Sequence, residues 1–475
     1  MNIMIIGCGY VGLTTGVALA YLGNQVIGVE TDHNKLKLLQ RGKCPIHEKH
    51  LENLMNEVKP RLTFTDQVKG VFPKIDIVII SVGTPPKENG EANTQYVENA
   101  AEDVAINLKD QTYTMVVKST VPIGTNYRVA GVVNRILEKN NINSRVYFAS
   151  NPEFLREGMA LSDMLYPDRI VVGSNGPEAV EVLRRLYRPI LEQTFTPPPC
   201  LPRPQNYILP PLVTTNTTSA EMIKYAANAF LSLKISFINE IGGLCEKVGA
   251  DVIDVSRGIG LDPRIGSRFL QAGIGWGGSC FPKDTSALVA LGGEYNYTMP
   301  IIEASRAVNL RQRQIVIEKL QAELKILRGR NIGVLGLAFK PETDDVREAP
   351  AIDIIRMLCE SGAIVRAHDP VTIANGRQAL KNLPVDFMED PYKMAAGCDA
   401  LVLVTEWEMY GRLDFTRLMN AMRFPLILDG RNFLNAEELT KMGFIYKGVG
   451  RDEECFGDRR SGFYREPFGG PAFGR

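Results

Sequence analysis

The chain has 475 residues, of which 45% are apolar and 23% charged, a composition typical of a globular protein of more than one domain. Its 54 basic and 54 acidic side chains cancel, which argues against a non-specific nucleic-acid binder. The sequence contains no apolar run of about 20 residues, so it predicts no membrane span, and it shows no pattern of a secretory signal. Eight scattered cysteines without a CxxC pair predict neither a disulfide framework nor a metal site. We expect a cytoplasmic protein.

The first 30 residues have the pattern of a dinucleotide-binding turn. Residues 1–6 predict a buried strand, Gly7, Gly9 and Gly12 follow it, and residues 13–22 predict a helix. These glycines allow a tight turn, close approach of a pyrophosphate and close packing of the helix, whose N-terminus favours phosphate. Glu30 ends a second predicted strand, where its carboxylate suits ribose hydroxyls and repels a 2′-phosphate. The pattern therefore predicts NAD as the cofactor.

Two more predicted strands each end in a loop with hydroxyl side chains. Residues 75–80 and 113–118 are almost continuously apolar, as in a parallel sheet buried on both faces. The loops 81–86 and 119–125 would lie at the carboxyl edge of that sheet, where ligands bind. Their Ser and Thr residues fit either ligand contact or capping of the next helix. Both readings stay open from the residues alone.

The middle and the second half predict a linker helix and a second sheet. Seven prolines within residues 194–211 predict a loop. Thr218 and Glu221 form a capping-box pattern that opens a helix to about Lys247. Lys224 and Asn228 share one face of that helix, as functional residues or as ordinary surface residues. Residues 331–336, 363–369 and 399–405 repeat the strand pattern of the N-terminal part.

The predicted fold class is α/β, with two Rossmann-like doubly wound domains joined by a long central helix. We expect a cofactor-binding domain over residues 1–212, a central helical domain over 213–328 and a second Rossmann-like domain over 329–452. Residues 453–475 are rich in Gly, Phe, Arg and Pro and predict a disordered tail.

The segment around Cys280 indicates covalent chemistry. Glycines precede Cys280, and Pro282 suits the first turn of a following helix. A cysteine at a helix N-terminus is favoured as the thiolate, although a buried inert thiol is the simpler alternative. Asp284, in the same turn, suits proton transfer. An NAD site together with a nucleophilic sulfur predicts oxidation of an alcohol to a carboxylate in two hydride transfers, through a thiohemiacetal and a thioester. Lys224 and Asn228 would stabilise the oxyanions.

Several motifs, in this order along the chain, resemble those of the UDP-glucose/GDP-mannose dehydrogenase family. They cover most of residues 1–450 and lie at 7–13, 81–85, 119–122, 151–158, 221–228, 277–284, 336–341, 343–347 and 429–431. The resemblance implies Cys280 as the nucleophile, Lys224 and Asn228 as the oxyanion-stabilising pair, and Asp284 as the proton-transfer acid. It implies that Thr120 and Glu157 hold a catalytic water and the nicotinamide end.

The resemblance also implies two sets of binding residues. The cofactor set contains Gly7, Gly9, Tyr10, Val11, Gly12, Glu30, Lys35, Thr84, Ser119, Thr120, Glu157, Lys283 and Arg347. The substrate set contains Glu153, Phe154, Leu155, Lys224, Asn228, Arg264, Phe269, Gly277, Cys280, Phe339, Lys340 and Arg431. Arg264 matches a residue that reaches the sugar bound by the partner subunit, so the resemblance implies a homodimer or larger oligomer with shared sites.

The resemblance leaves the substrate open. Trp276 and Phe281 beside the cysteine favour UDP-glucose, oxidised to UDP-glucuronate. GDP-mannose or a UDP-N-acetylhexosamine is the alternative, and a non-catalytic nucleotide-binding regulator is a third reading. Glu30 stands where family members usually have Asp, and its longer side chain still reaches a ribose. The proline-rich segment is longer than is usual in the family.

Overall fold

The structure is a computed structural model that describes residues 1–70 and 75–451. The chain divides into two compact units, the first comprising residues 1–227 and the second beginning at residue 228. The tail predicted over residues 453–475 lies outside the described residues.

The first unit contains an eight-stranded sheet. Its strands are β1 (Asn2–Ile6), β2 (Gln25–Val29), β3 (Leu62–Thr65), β4 (Ile77–Ile80), β5 (Thr112–Val117), β6 (Arg145–Ser150), β7 (Ile170–Gly173) and β8 (Leu212–Thr215). The strand order is β3-β2-β1-β4-β5-β6-β7-β8, and all neighbours are parallel except β6 and β7. The order reverses between β1 and β4, and ligands bind at such a reversal in doubly wound sheets.

The alternation of side chains in β1 explains why this sheet is buried on both faces. Ile3 and Ile5 pack into one apolar core, whereas Met4 and Ile6 pack into the core on the other side. Successive strand residues point to opposite faces, so a continuous apolar strand needs a cover on each side. Helices in the described part of the first unit supply it: α1 (Tyr10–Tyr21), α2 (His33–Gln40), α3 (Leu51–Glu57), α4 (Gln95–Asn107), α5 (Thr125–Lys139), α6 (Ala160–Leu165) and α7 (Pro177–Leu191). Residues Lys59–Arg61 form a short 3-10 helix.

The long helix α8 (Thr217–Val248) leads from the first unit into the second. Its extent agrees with the prediction, but the predicted capping box is wrong. The N–H of Ser219 donates to Oδ1 of Asn216, so Asn216 supplies the side-chain cap. The Glu221 carboxylate instead accepts the N–H groups of Gly124 and Asn126, at 2.6 and 2.9 Å. This tertiary contact at the start of α5 competes with the local one.

The proline-rich segment is a loop, as predicted, and its aromatic side chains fix it to the first unit. No helix or strand lies between the end of α7 and the start of β8. The ring of Tyr166 lies 5.9 Å from that of Phe195 and 5.6 Å from that of Tyr207. The hydroxyl of Tyr21 donates to the carbonyl oxygen of Thr196.

The second unit contains a parallel six-stranded sheet preceded by helices. The helices are α9 (Val252–Gly260), α10 (Phe281–Glu294) and α11 (Pro300–Leu324). The strands are β9 (Asn331–Leu335), β10 (Ile364–His368), β11 (Val385–Phe387), β12 (Ala400–Leu403), β13 (Leu426–Asp429) and β14 (Ile445–Lys447). The helices between them are α12 (Pro350–Glu360), α13 (Ile373–Ala379), α14 (Pro391–Ala395), α15 (Glu408–Gly411), α16 (Phe415–Ala421) and α17 (Ala436–Met442).

The strand order of the second sheet, β11-β10-β9-β12-β13-β14, repeats that of the first six strands of the first sheet. The predicted fold class, two Rossmann-like sheets and a long helix, is therefore confirmed. The boundaries at residues 212 and 328 stay a prediction.

The last described residues are tied back to α8 and α9. Arg451 and Asp251, whose side chains are each 4% exposed, form an ion pair at 2.9 Å. The N–H of Gly450 donates to the Glu246 carboxylate, and its carbonyl oxygen accepts the N–H of Val252. The segment after β14 is therefore part of the folded second unit.

Candidate active site

The glycine turn after β1 has the shape needed for a pyrophosphate. Gly7 has a φ of +91°, which L side chains rarely adopt. A Cβ on Gly12 would lie 1.9 Å from the carbonyl oxygen of Gly7, whereas a Cβ on Gly9 would meet no protein atom within 4 Å. Helix α1 begins at Tyr10 without a side-chain cap. Its N-terminal N–H groups and dipole therefore favour an anion beside Gly9.

Glu30 joins this turn to the end of β2. The residue is 9% exposed, its Oε2 accepts the N–H of Cys8 at 3.2 Å, and its Oε1 accepts the N–H of Asp32 at 2.9 Å. Both bonds orient the carboxylate at the strand end where a ribose would lie. Lys35 lies exposed in α2. Burial and then the Glu30 charge raise the pKa of the Cys8 thiol, so Cys8 stays a neutral thiol that packs inside the protein.

The loops after β4 and β5 bond to each other through their hydroxyl groups. Thr84 Oγ1 donates to the carbonyl oxygen of Thr120 at 2.8 Å, and Ser119 Oγ donates to that of Val82 at 2.7 Å. Thr84 and Ser119 are buried, and Thr120 is half-buried. These hydroxyl groups join neighbouring strand ends and do not cap the next helix. Thr125 instead bonds the carbonyl oxygen of Pro122 at the start of α5.

A buried cluster of charged side chains lies in the first unit. Glu153 and Lys224 form an ion pair at 3.0 Å, with side chains 7% and 5% exposed. Glu153 Oε2 also accepts the N–H of Leu155 at 2.6 Å. Burial raises the pKa of Glu153, but Lys224, the Leu155 N–H and Lys118 together hold it below its usual value. The carboxylate is therefore ionised at neutral pH.

The neighbours of Glu153 in the 151–158 segment are fixed by aromatic and carboxylate contacts. The ring of Phe154 lies 3.8 Å from the guanidinium carbon of Arg169 and 5.4 Å from Lys224 Nζ. Glu157 is half-buried, and the following N–H, of Gly158, donates to the buried Glu48 carboxylate at 2.7 Å. Sequence patterns did not indicate Glu48, because its partners lie more than 100 positions away.

Cys280 stands at the N-terminus of α10, as predicted. It is the N-cap residue, Pro282 lies in the first turn, and the N–H of Asp284 donates to the Cys280 carbonyl oxygen at 2.8 Å. The thiol is half-buried, and its Sγ lies 3.6 Å from Oγ of Ser279. The helix dipole therefore favours negative charge on this sulfur.

Asp284 is 1% exposed and is held from two sides. Its Oδ2 accepts Nδ2 of Asn228 at 2.6 Å, and its Oδ1 pairs with the ammonium of Lys283. The first turn of α10 therefore contains the sulfur, the carboxylate and Lys283, and α8 supplies the second donor, Asn228.

The glycines before Cys280 allow close contact with the loop after β9. A Cβ on Gly278 would lie 2.7 Å from the ring of Phe339, and one on Gly277 would lie 2.2 Å from the carbonyl oxygen of Glu348. The N–H of Gly278 donates to the carbonyl oxygen of Arg347 at 3.0 Å. Any larger residue would displace the cysteine segment.

Two basic side chains, Arg431 and Lys340, lie near the glycine-rich segment that precedes Cys280. Arg431 donates to the carbonyl oxygens of Val404 and Gly275, at 2.7 and 3.0 Å, and its Nε lies 3.3 Å from Glu406. Lys340 Nζ lies 5.7 Å from the ring centre of Phe339. Fixed cations of this kind suit an anionic diphosphate.

A neighbouring side chain contacts each of three further predicted binding residues. The ring of Phe269, at a φ of +64°, lies 6.4 Å from that of Phe281. Arg264 is 87% exposed and pairs with Asp262 at 2.6 Å. Arg347 pairs with Asp345, also at 2.6 Å.

The predicted residues are distributed over the two units. The first unit contains Gly7, Gly9, Tyr10, Val11, Gly12, Glu30, Lys35, Thr84, Ser119, Thr120, Glu153, Phe154, Leu155, Glu157 and Lys224. The second contains Asn228, Arg264, Phe269, Gly277, Cys280, Lys283, Asp284, Phe339, Lys340, Arg347 and Arg431. The sequence did not predict Lys118 as a buried residue of this site. The signal that could have indicated it is its position directly after the apolar strand β5.

Neither a metal-binding cluster nor a membrane-spanning helix is found in the part of the chain that the structure describes. Within 1–70 and 75–451, no group of three or more His, Cys, Asp or Glu side chains is placed to hold a metal ion. In the same part of the chain, no helix combines the length and apolar character needed to span a bilayer.

A dinucleotide turn at a sheet reversal, a second Rossmann-like sheet and a cysteine at a helix N-terminus define the class of NAD-linked dehydrogenases that use a thiol. Sequence models of one family match three parts of the chain: its NAD binding domain over residues 1–191, its central domain over 218–311 and its UDP binding domain over 333–436. The chain belongs to the UDP-glucose/GDP-mannose dehydrogenase family. The predicted family and the NAD cofactor are confirmed.

Individual relatives match over nearly the whole chain. A UDP-glucose 6-dehydrogenase of Rhizobium meliloti is 45% identical, with 95% of this chain and all of the relative covered. One from Pseudomonas aeruginosa is 42% identical over 95% and 98% of the two chains. The structure of a UDP-glucose dehydrogenase from Pyrobaculum islandicum has a TM-score of 0.84 at 36% identity, covering 95% and 98%. That of a UDP-D-ManNAc dehydrogenase from Pyrococcus horikoshii has 0.79 at 26%, covering 95% and 99%.

Proposed function

We propose that the protein is an NAD-dependent UDP-glucose 6-dehydrogenase that oxidises UDP-glucose to UDP-glucuronate. The observation that carries this proposal is the position of Cys280 at the N-terminus of α10, in the same turn as the Asp284 carboxylate, which is held by Asn228 and Lys283. A simple alcohol oxidation needs no sulfur nucleophile, whereas in a four-electron oxidation a thiol can hold the aldehyde between the two hydride transfers. The relatives named UDP-glucose 6-dehydrogenase, at 45% and 42% identity, support this substrate.

The glycine turn and Glu30 fit NAD, since the space beside Gly9 is open and the carboxylate stands at the ribose end of β2. When bound, NAD supplies the hydride acceptor for both oxidations. The residues proposed to hold it are Gly7, Gly9, Tyr10, Val11, Gly12, Glu30, Lys35, Thr84, Ser119, Thr120, Glu157, Lys283 and Arg347.

In the proposed reaction, the substrate bonds that form or break are at its C6 carbon and at the C6 oxygen, and the sulfur of Cys280 is the protein atom that bonds to that carbon. The first oxidation removes a hydride from C6 and a proton from its hydroxyl, which gives the aldehyde. The sulfur of Cys280 then bonds to C6 and the carbonyl oxygen takes a proton, which gives a thiohemiacetal. The second oxidation removes another hydride and proton and leaves a thioester. Water attacks C6, the C–S bond breaks, the sulfur regains a proton, and the carboxylate is released.

The surrounding side chains have matching proposed roles. Lys224 and Asn228 stabilise negative charge on the C6 oxygen, and Asp284 exchanges the proton during thioester hydrolysis. Thr120 and Glu157 hold the attacking water. Substrate binding is assigned to Glu153, Phe154, Leu155, Arg264, Phe269, Gly277, Phe339, Lys340 and Arg431.

The experiment counts NADH for each substrate consumed. Purified protein with limiting UDP-glucose and excess NAD is expected to form two NADH and one UDP-glucuronate. One NADH, or none, would contradict the proposal. GDP-mannose and a UDP-N-acetylhexosamine in parallel reactions test the alternative substrates, and faster turnover of either would replace UDP-glucose.

We further propose a homodimer that forms through α8, in a protein that works in the cytoplasm. Phe230, Phe237 and Leu244 are seven residues apart, so they share one helix face, and they are 61%, 48% and 58% exposed in the single chain. An apolar stripe of this kind is typical of a protein interface. The double substitution Phe230→Glu and Phe237→Glu is expected to yield monomers in analytical ultracentrifugation. Leu310→Glu, at an equally exposed position of α11, is the control and should not change the mass.

A further inference from the structure

Lys118 is a buried cation that the assigned roles do not use. It follows β5, is 4% exposed, and its Nζ donates to Oδ1 of Asn151 at 3.2 Å. Asn151 is itself fixed, because its Oδ1 accepts the hydroxyl of Tyr187 at 2.6 Å and its Nδ2 donates to the carbonyl oxygen of Val171 at 2.7 Å. The ammonium is thus held by β5, β6, α7 and β7, independently of α8.

The charge of Lys118 acts on the Glu153–Lys224 pair. Burial and then repulsion from Lys224 lower the pKa of Lys118 to about 8, and Glu153 opposes that shift. Lys118 therefore remains a cation at neutral pH. Two further ionisable groups contact this cluster: Tyr187 bonds to Asn151, and Arg169 lies on the ring of Phe154. Glu153, two residues after the Lys118 partner Asn151, is therefore subject to the charge of two buried lysines.

The inference rests on the proposed function, which gives Lys224 two partners, Glu153 and the substrate oxygen. Lys224 is bonded to Glu153, yet its proposed task is at the substrate oxygen. When Lys224 turns to that oxygen, Glu153 loses its direct counter-ion in a buried place, where an unpaired charge is costly. A neutral side chain would fill the position of Lys118 without the cost of burying an ammonium.

We propose that Lys118 is a positioning residue that keeps Glu153 ionised and in place while Lys224 acts on the substrate. Lys118 itself does not touch the substrate in this scheme. Its effect reaches the reaction through the charge of Glu153, so its removal alters the pH dependence of turnover.

The first test compares Lys118→Met with Tyr187→Phe, which removes a hydrogen bond to Asn151 but leaves the charge of Lys118. The pH profile of kcat for UDP-glucose oxidation is measured from about pH 5 to 9. The wild type is expected to be flat between about pH 5 and 7. Lys118→Met is expected to lose activity toward the acid side, about tenfold by pH 6, because a buried carboxyl without a cation takes up a proton there. KM for NAD should change less than about twofold.

Two results would overturn the inference. Lys118→Met with a lower kcat but a flat acid profile would indicate a structural role only. The same acid limb in Tyr187→Phe would show that packing, and not the charge of Lys118, determines the profile.

A second measurement needs no substrate and separates this inference from the proposed function. Without Lys118 the folded-state pKa of Glu153 rises, so the folded Lys118→Met protein binds more protons than wild type as the pH falls. Its stability relative to wild type is therefore expected to improve between pH 7 and about 4.5, and the improvement should vanish when both proteins also contain Glu153→Gln. A stability difference that stays constant with pH would contradict the inference, even if UDP-glucose is not the substrate.

Discussion

The two Rossmann-like sheets share a strand order but differ at the turn where that order reverses. In the first unit, α1 starts at Tyr10, directly after the turn, and the space beside Gly9 is open. In the second unit, the corresponding turn follows β9, and the next helix, α12, begins only at Pro350. There, Asp369 Oδ2 accepts the N–H groups of Leu337 and Ala338, at 2.8 and 3.3 Å, and Nε1 of Trp407 at 3.1 Å.

The second turn therefore already contains an anion, and that anion is part of the protein. Backbone N–H groups that would cradle a phosphate are bonded to a carboxylate, and residues 336–349, all described, contain no helix start that could add its dipole. Equal topology does not give equal binding, because the ligand chemistry depends on a few residues of the turn. In the second unit, Gly277 and Gly278, which precede Cys280, have a close-packing role next to the candidate site.

The largest expected effect tests this division of work. Cys280→Ser removes the nucleophile of the second unit and leaves the turn of the first unit intact. UDP-glucuronate formation is expected to fall by a factor on the order of a thousand or more, while NAD affinity, measured by isothermal titration calorimetry, stays within about twofold. Cys359→Ser, at another half-buried thiol, is the control and should retain activity. Wild-type turnover in Cys280→Ser would disprove the covalent route.

A medium effect is expected from adding a methyl group to each turn. Gly9→Ala meets no protein atom, so the fold is expected to persist while the methyl group occupies ligand space and raises the Kd of NAD about tenfold or more. Gly336→Ala, at a φ of +98° and with Thr405 within 2.4 Å of the new Cβ, should lower Tm and leave the Kd of NAD unchanged. Calorimetry and thermal melts measure both quantities. A rise in Kd for Gly336→Ala would mean that the second turn also binds the cofactor.

The smallest effect concerns the two acids at the strand ends. Glu30→Gln is expected to reduce the preference for NAD over NADP several-fold, because the repulsion of a 2′-phosphate is lost. Asp369→Asn should leave cofactor preference unchanged and cost about 1 to 3 kcal/mol of stability, since its N–H partners lose a charged acceptor. The ratio of kcat/KM for the two cofactors and urea unfolding distinguish these outcomes. An altered ratio in Asp369→Asn would remove the proposed difference between the turns.

Local patterns in the sequence predicted most of the fold. The glycine turn, the apolar strands 77–80 and 112–117, α8 and the start of α10 at Cys280 each depend on residues close together in the chain. The capping box at Thr218 failed for the opposite reason, since Glu221 finds better partners at Gly124 and Asn126, about 95 positions away.

The candidate site was predictable only where short motifs define it. Asp369 directly follows β10 in the sequence, but no local pattern shows that its carboxylate occupies the neighbouring turn, because that depends on how two strand ends meet. Lys118 was missed for a similar reason. A lysine after an apolar strand is commonly a surface residue, and its burial depends on Asn151 and Tyr187 from other elements.

The ion pair between Arg451 and Asp251 bears on where the chain can be shortened. The match to the UDP binding domain ends at residue 436, yet β14 and the bonds of Gly450 and Arg451 lie beyond it. A protein truncated at that match would lose an edge strand and leave Asp251 buried without this counter-ion. A truncation meant to preserve the folded second unit should therefore retain Arg451.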